Sequence, residues 1–193
     1  ITARAIAPGL TDALGQQIVI DNRGGAGGTI GAELAAKATP DGYTTVLGST
    51  GTLTTAPALY PRLGYDPVRD FATTSLVSSV PLVMVIHPSV PAKTVKEFIA
   101  IAKSRPGRIT MASAGSGTTN HLSGELFQSA SGTKMIHIPY KGSGPALIDL
   151  MGGQVDVHFD QLSSSIGFIQ SGKLRALAVT TLKRSAQMPA IPT

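Results

Sequence analysis

The chain has 193 residues, 42% of them hydrophobic, with 22 glycines, 13 prolines and a formal net charge of +5. That is enough apolar material for one domain or two small ones. The absence of cysteine excludes a disulfide framework, a thiolate metal site and a cysteine nucleophile, and scattered basic residues with 5% aromatics argue against a nucleic-acid binder, which more often clusters basic groups with stacking rings.

Residues 1–14 have helical composition, with Pro8-Gly9 expected to kink or break the helix and Gly15 to stop it. Residues 17–20 read as a short strand. The glycine-rich DNRGGAGG of residues 21–28 then turns into a helix carrying Ile30, Leu34 and Ala38. A dinucleotide site is not supported there, because the GxGxxG spacing fails at Ile30. Pro40-Asp41-Gly42 is a turn, and residues 43–47 read as a strand that ends in Gly48-Ser49-Thr50-Gly51-Thr52. Residues 57–67 read as proline-rich loop with a helical turn. Leu82 to Ile86 reads as a buried strand, and the longest apolar run, Pro81 to Ile86, is too short to span a bilayer.

Thr94 and Glu97 form a capping box ahead of a helix whose apolar stripe is Val95, Phe98, Ile99 and Ala102. Residues 108–127, RITMASAGSGTTNHLSGELF, read as strand, glycine-hydroxyl turn and helix, with Leu122, Leu126, Ala130 and Phe127 as the apolar face. Residues 135–138 read as the next strand, and Pro145 suits the first turn of the helix after it. Val155, Val157 and Phe159 alternate with Asp156, His158 and Asp160, as in a strand with two unlike faces. Ser163 is expected to cap a helix, and residues 174–179 to form a last strand. Strand and helix alternate through most of the chain, which predicts an α/β fold with mostly parallel sheets.

In open α/β sheets ligands bind beyond the carboxyl ends of strands. The residues at those positions are Ser49 and Thr50; Ala114, Gly115, Ser116, Gly117, Thr118 and Thr119; Tyr140 and Lys141; and Asp160. Orphan N–H groups and the dipole at a helix start favour an anion, glycines admit close backbone approach and hydroxyls add donors. An ordinary βα loop capped by Ser or Thr accounts for the 114–119 turn equally directly. His121 could face the turn or be a locally satisfied helix histidine. Asp160 could orient a ligand amine or a water, or cap a helix, and Lys141 could attract an anion or lie in solvent. Neither Ser116 nor Ser143 stands in GxSxG, HExxH is absent, and the four histidines lack metal-ligand spacing. No catalytic group, metal or cofactor is expected.

Several phrases, in order, resemble the periplasmic substrate-binding receptors of tripartite tricarboxylate transporters, the Bordetella-uptake-gene type. They are ALGQQIVIDNRGGAGGTIGAELAAKATPDGYTTVLGS, ALYPRLGYDPVRDF, HPSVPAKTVKEFIAIAK, ASAGSGTTNHLSGELF, HIPYKGSGPALIDLMGGQVDVHFD and GKLRALAVTTLKRS. The resemblance covers nearly the whole chain. It implies a type 2 periplasmic binding protein with two lobes, 1–85 plus 182–193 and 86–181, joined by crossing strands near 86–88 and 180–181. It further implies a monomer that takes a di- or tricarboxylate, acidic amino acid or aromatic acid between the lobes and passes it to membrane permease subunits, with no nucleic acid and no catalysis. Carried over, it assigns Ser49 and Thr50 to one wall and 114–119 with Asp160 to the other. The same fold used as a ligand sensor, or an α/β enzyme on anionic substrates, is the alternative. Against the family pattern, Pro8-Gly9 interrupts the first helix, and the opening strand with its glycine-rich loop and the C-terminal segment are missing. The chain is therefore expected to be an interior piece of a longer protein, with no signal peptide in this sequence.

Overall fold

The computed structural model describes residues 2–193. Helix α1 is Thr2–Leu14, α2 is Thr29–Ala36 after the 3-10 turn Ala26–Gly28, and the π turn Gly51–Thr55 leads into α3, Ala56–Leu59. From there strands and helices alternate: β1 Leu82–Ile86, α4 Val95–Ser104, β2 Thr110–Ser113, α5 Thr119–Ser131, β3 Ile136–Pro139, α6 Ser143–Met151, β4 Val157–Gln161, α7 Leu162–Gln170 and β5 Arg175–Val179. The strands form one five-stranded sheet in the order β3-β2-β4-β1-β5. β2 runs parallel to β3 and β4, whereas β1 lies antiparallel to both β4 and β5. The expected α/β class holds, with a mixed sheet of two parallel and two antiparallel pairings in place of a mostly parallel one.

Both faces of the sheet are covered. Met84, Ile86, Met111, Val157 and Phe159 pack with Phe98 and Ala102 of α4 on one side. Val83, Val85 and Ala112 pack with Ala146, Leu147 and Leu150 of α6 and Leu162 of α7 on the other. This explains why Val157 through Asp160 are all buried although their sequence alternates: apolar residues meet α4 and α5, and His158 and Asp160 meet α6 and α7. Thr94 caps α4 by accepting the Glu97 N–H at 3.1 Å, and the Glu97 carboxylate accepts the Lys93 N–H at 2.6 Å, one residue earlier than a strict capping box.

Several expectations are corrected. α1 continues through Pro8. Pro8 and Arg4 are exposed, so water can take up the Arg4 carbonyl that the proline leaves without a donor. Residues 17–20 and 43–47 are not strands; they pair with no other segment among the described residues, and Val19 and Tyr43 are largely exposed. β-branched and aromatic composition favours a strand only where a neighbouring strand supplies the ladder. Ser163 lies inside α7, whose N-cap is Gln161. On α5, Leu122 and Leu126 face outward and Asn120 and Gly124 inward. A β-carbon at Gly124 would lie 1.9 Å from Met111 Sδ, so close approach of helix to sheet, more than apolar bulk, decides this face.

Two segments that the resemblance assigns to the first lobe contact the sheet. Val83 and Val85, before the boundary after residue 85, belong to a strand with β4 on one side and β5 on the other. In the 182–193 tail, Ile191 is buried in the cluster of Val83 and Val179, and the Pro192 carbonyl accepts the Val179 N–H at 2.8 Å. Apolar burial and backbone pairing tie both segments to the sheet-bearing part.

Candidate functional site

β2 ends at Ser113 and α5 begins at Thr119, with the 114–118 turn between them. Thr118 is the helix N-cap; its hydroxyl lies 3.5 Å from the His121 N–H and donates to the Gly115 carbonyl at 2.7 Å. The turn's glycine amides are used internally. Gly115 N–H donates to Ser113 Oγ at 3.1 Å, and Gly117 N–H donates to His121 Nδ1 at 3.2 Å. The Ala114 carbonyl accepts the Gly142 N–H at 3.2 Å, which ties the turn to the loop after β3. The amides of Ala114, Ser116, Thr119 and Asn120 have no protein hydrogen-bond partner among the described residues. The expectation of a continuous amide cradle over 114–119 thus narrows to Ala114, Ser116 and Thr119, joined by Asn120, because local side chains satisfy the glycine amides and the Gly115 carbonyl takes the Thr118 N–H.

The N-terminal part of the chain comes directly against this turn. A β-carbon at Gly27 would stand 2.6 Å from the Ser116 carbonyl oxygen, and one at Gly115 would stand 3.1 Å from Gly27 N. One at Gly51 would lie 3.4 Å from the Gly117 carbonyl and from Thr118 Cα. Ser49 and Thr50 immediately precede that contact. Ser49 N–H donates to Thr52 Oγ1 at 3.0 Å and Thr52 N–H to Ser49 Oγ at 3.2 Å, a reciprocal pair that holds the start of the π turn, while Tyr65 Oη donates to the Thr52 carbonyl at 2.6 Å. Tyr60 Oη reaches the Ser116 carbonyl at 3.4 Å. Lys141 is exposed, and no Lys or Arg hydrogen bond enters the turn among the described residues. Ser49, Thr50 and 114–119 are therefore brought together; the 24–28 glycine loop, set aside in the sequence on its failed nucleotide spacing, joins them.

Asp160 lies behind this surface. It is fully buried, with Oδ2 accepting from Ser165 Oγ at 2.7 Å and Oδ1 standing 3.3 Å from His158 Nε2. His158 Nδ1 donates to the Ala112 carbonyl at 2.8 Å, so its second nitrogen needs a proton between itself and the carboxylate. Neither His158 Nε2 nor Asp160 Oδ1 makes a well-aligned hydrogen bond. Burial pushes Asp160 up, but the His158 ring and the Ser165 and Ser143 hydroxyls outweigh it and hold the carboxyl below the usual range.

His121 and His137 stack beside the turn with ring centroids 4.0 Å apart. Burial first, then the His121 ring, lowers His137 to about 4. An unfolded chain takes up that proton near pH 6.5. Stability from this site is therefore complete above about 6.5 and lost as pH falls toward 4, where the unfolded state binds more protons. Melting temperature is expected to drop across this window, with a shallower slope for His137→Gln; an unchanged slope would show that His137 is not the titrating group. Gly117 has φ +79°, and a β-carbon on it would meet Leu59 Cδ1 at 3.0 Å. Gly117→Val is expected to weaken ligand binding far more than Ser116→Ala, whose loss is about one hydrogen bond, roughly 0.5–1.5 kcal/mol; calorimetric titration of both variants checks this.

Among the described residues there is no cluster of His, Cys, Asp and Glu suited to a metal, and no helix long and apolar enough to cross a membrane. Residues 2–193 match the tripartite tricarboxylate transporter family receptor. BugT of Bordetella pertussis is 42% identical over 194 residues, covering 100% of this chain and 60% of BugT. The structure of R. palustris Rpa4515 with adipate superposes with a TM-score of 0.97 at 39% identity, covering 100% of this chain and 64% of that one. The periplasmic binding protein BugD superposes with a TM-score of 0.95 at 41% identity, again over 100% of this chain and 64% of the other. The chain thus has the fold of part of a periplasmic binding protein and spans less than two thirds of these relatives. Its residues match the family profile almost end to end, and it belongs to the tripartite tricarboxylate transporter receptor family, among its Bug-type members.

Proposed function

We propose that this chain is the larger part of a periplasmic solute receptor that captures a small organic carboxylate between two lobes and hands it, unchanged, to a tripartite tricarboxylate-type permease. The observation that carries this reading is the set of uncommitted amides at Ser116, Thr119 and Asn120, at the start of a thirteen-residue helix and pressed against the 24–28 loop. Free N–H groups at the positive end of a helix hold a carboxylate without a neutralising cation. The adipate-bound relative supports the ligand class. One lobe is the sheet-bearing part from β1 onward and the other the helical part before it, with 49–52 and 24–28 as its ligand-facing rim. No residue in this arrangement is assigned a catalytic role, and binding needs no metal.

Titration with adipate and with its dimethyl ester tests the reading. The ester keeps the carbon skeleton and loses both charges. The diacid is expected to bind, with an affinity that chelator does not change, and the ester to bind at least about a hundred-fold more weakly, a difference of about 2.7 kcal/mol. Equal binding of acid and ester would remove the anion site. Consumption of adipate by the pure protein would replace the receptor with an enzyme.

A further inference from the structure

We propose that the stacked pair His121–His137 is the positioning device of the 115–117 turn, holding its two glycine amides from one side so that the neighbouring amides stay free for a ligand. The proposal rests on the carboxylate-receptor reading above. The two rings come from different elements, His121 from the first turn of α5 and His137 from β3, and lie 18° from parallel. Each takes charge of one glycine. Gly117 N–H donates directly to His121 Nδ1. Gly115 N–H donates to Ser113 Oγ, which lies 2.6 Å from His137 Nε2.

The hydrogen positions follow from counting donors. Ser113 is fully buried and its oxygen already receives the Gly115 N–H, so its own proton needs an acceptor, and His137 Nε2 is the one within reach. His137 is therefore neutral, with its proton on Nδ1. His121 accepts at Nδ1, so its proton is on Nε2, the nitrogen that lies 3.6 Å from the Glu125 carboxylate. The stack holds two neutral imidazoles of opposite tautomer. Without it Gly117, at φ +79°, keeps no partner for its N–H and the turn gains conformations that the bound state must give up. The bonds from Thr118 to Gly115 are local to the turn, and those from Gly142 and Tyr60 reach only the carbonyls of Ala114 and Ser116, whereas the histidine pair anchors the two glycine amides to β3, an edge of the sheet.

Three readouts test this. In the ligand-free protein, imidazole nitrogen shifts should show His121 protonated at Nε2 and His137 at Nδ1; His121 found as the Nδ1–H form overturns the proposal without any variant. In His121→Ala, hydrogen exchange of the Gly117 amide should accelerate about ten-fold and adipate affinity fall by about the same factor, the scale of one lost hydrogen bond. His121→Asn, whose side-chain oxygen can replace Nδ1 as acceptor, should recover most of both. Exchange at the unaltered rate in His121→Ala, or faster exchange with unaltered affinity, or failure of the asparagine variant to recover, each overturns it. If the unaltered protein binds no adipate, the receptor reading loses its probe ligand, and the stack stands or falls on the tautomers and the exchange rates.

Discussion

Gly27→Val is expected to abolish measurable adipate binding while leaving the sheet-bearing part of the chain folded. Gly27 has φ +65°, a conformation that a β-branched residue adopts only under strain of about 1–3 kcal/mol. Its β-carbon would lie 2.6 Å from the Ser116 carbonyl oxygen. That atom is backbone, so no rotamer change moves it aside, and either the 24–28 loop or the 115–118 turn must retreat. Ala26, at φ +46°, already strains the same loop and leaves it little room to adjust. Retreat separates the two surfaces that the proposed ligand bridges, and a loss of at least about a hundred-fold in affinity, near 2.7 kcal/mol, is expected. None of residues 24–28 belongs to either hydrophobic cluster, so circular dichroism and the main melting transition should stay close to those of the unaltered chain. Full adipate affinity in this variant would show that the loop contact has no part in binding.

Asp160→Ala is expected to have the opposite profile, with stability lost first. His158 and Asp160 are both fully buried, on the side of the sheet that α6 and α7 cover. Truncating the carboxylate leaves the His158 ring facing a void with its second nitrogen unpaired and Ser165 Oγ without its acceptor. Removing one partner of a buried charged pair costs about 3–5 kcal/mol. For a chain of this size that lowers the melting temperature by roughly 6–20 °C. Because the carboxyl is held below its usual range in the folded protein, its contribution is present above the unfolded value of about 3.8 and disappears as pH falls through the folded value. Asp160→Asn keeps an acceptor for Ser165 and should cost less. A melting temperature within about 2 °C of the original for Asp160→Ala, roughly the shift for 0.5–1 kcal/mol in a chain of this size, would mean that the pair carries no net stability.

Local rules were legible. The Thr94 cap, the stop at Gly15, the strands β1 to β5 and the turn from Ala114 to Thr118 come from spacing, capping chemistry and glycine placement, all of which act over a few residues. The rule that ligands gather beyond strand ends selects Ser49, Thr50 and 114–119, which do come together in the fold, although residues 43–47, the segment before Ser49, form no strand. Asp160 satisfied the same rule, yet it points into the layer beneath α6 and α7, because strand alternation fixes which residues share a face and leaves open which face is solvated.

What the tertiary structure alone decided depends on partners distant in the chain. Residues 17–20 and 43–47 have strand composition without a ladder, since pairing belongs to two segments and composition to one. Leu122 and Leu126 look inward by period, but α5 turns Gly124 to Met111, because the helix can approach that closely only where it has no side chain. The Ser113, His121 and His137 circuit has no sequence signature: β3 must first pair with β2 before its histidine can reach α5. Gly27 meets Ser116 for the same reason, as a contact between backbones 89 positions apart in the chain, which no periodicity of side chains encodes.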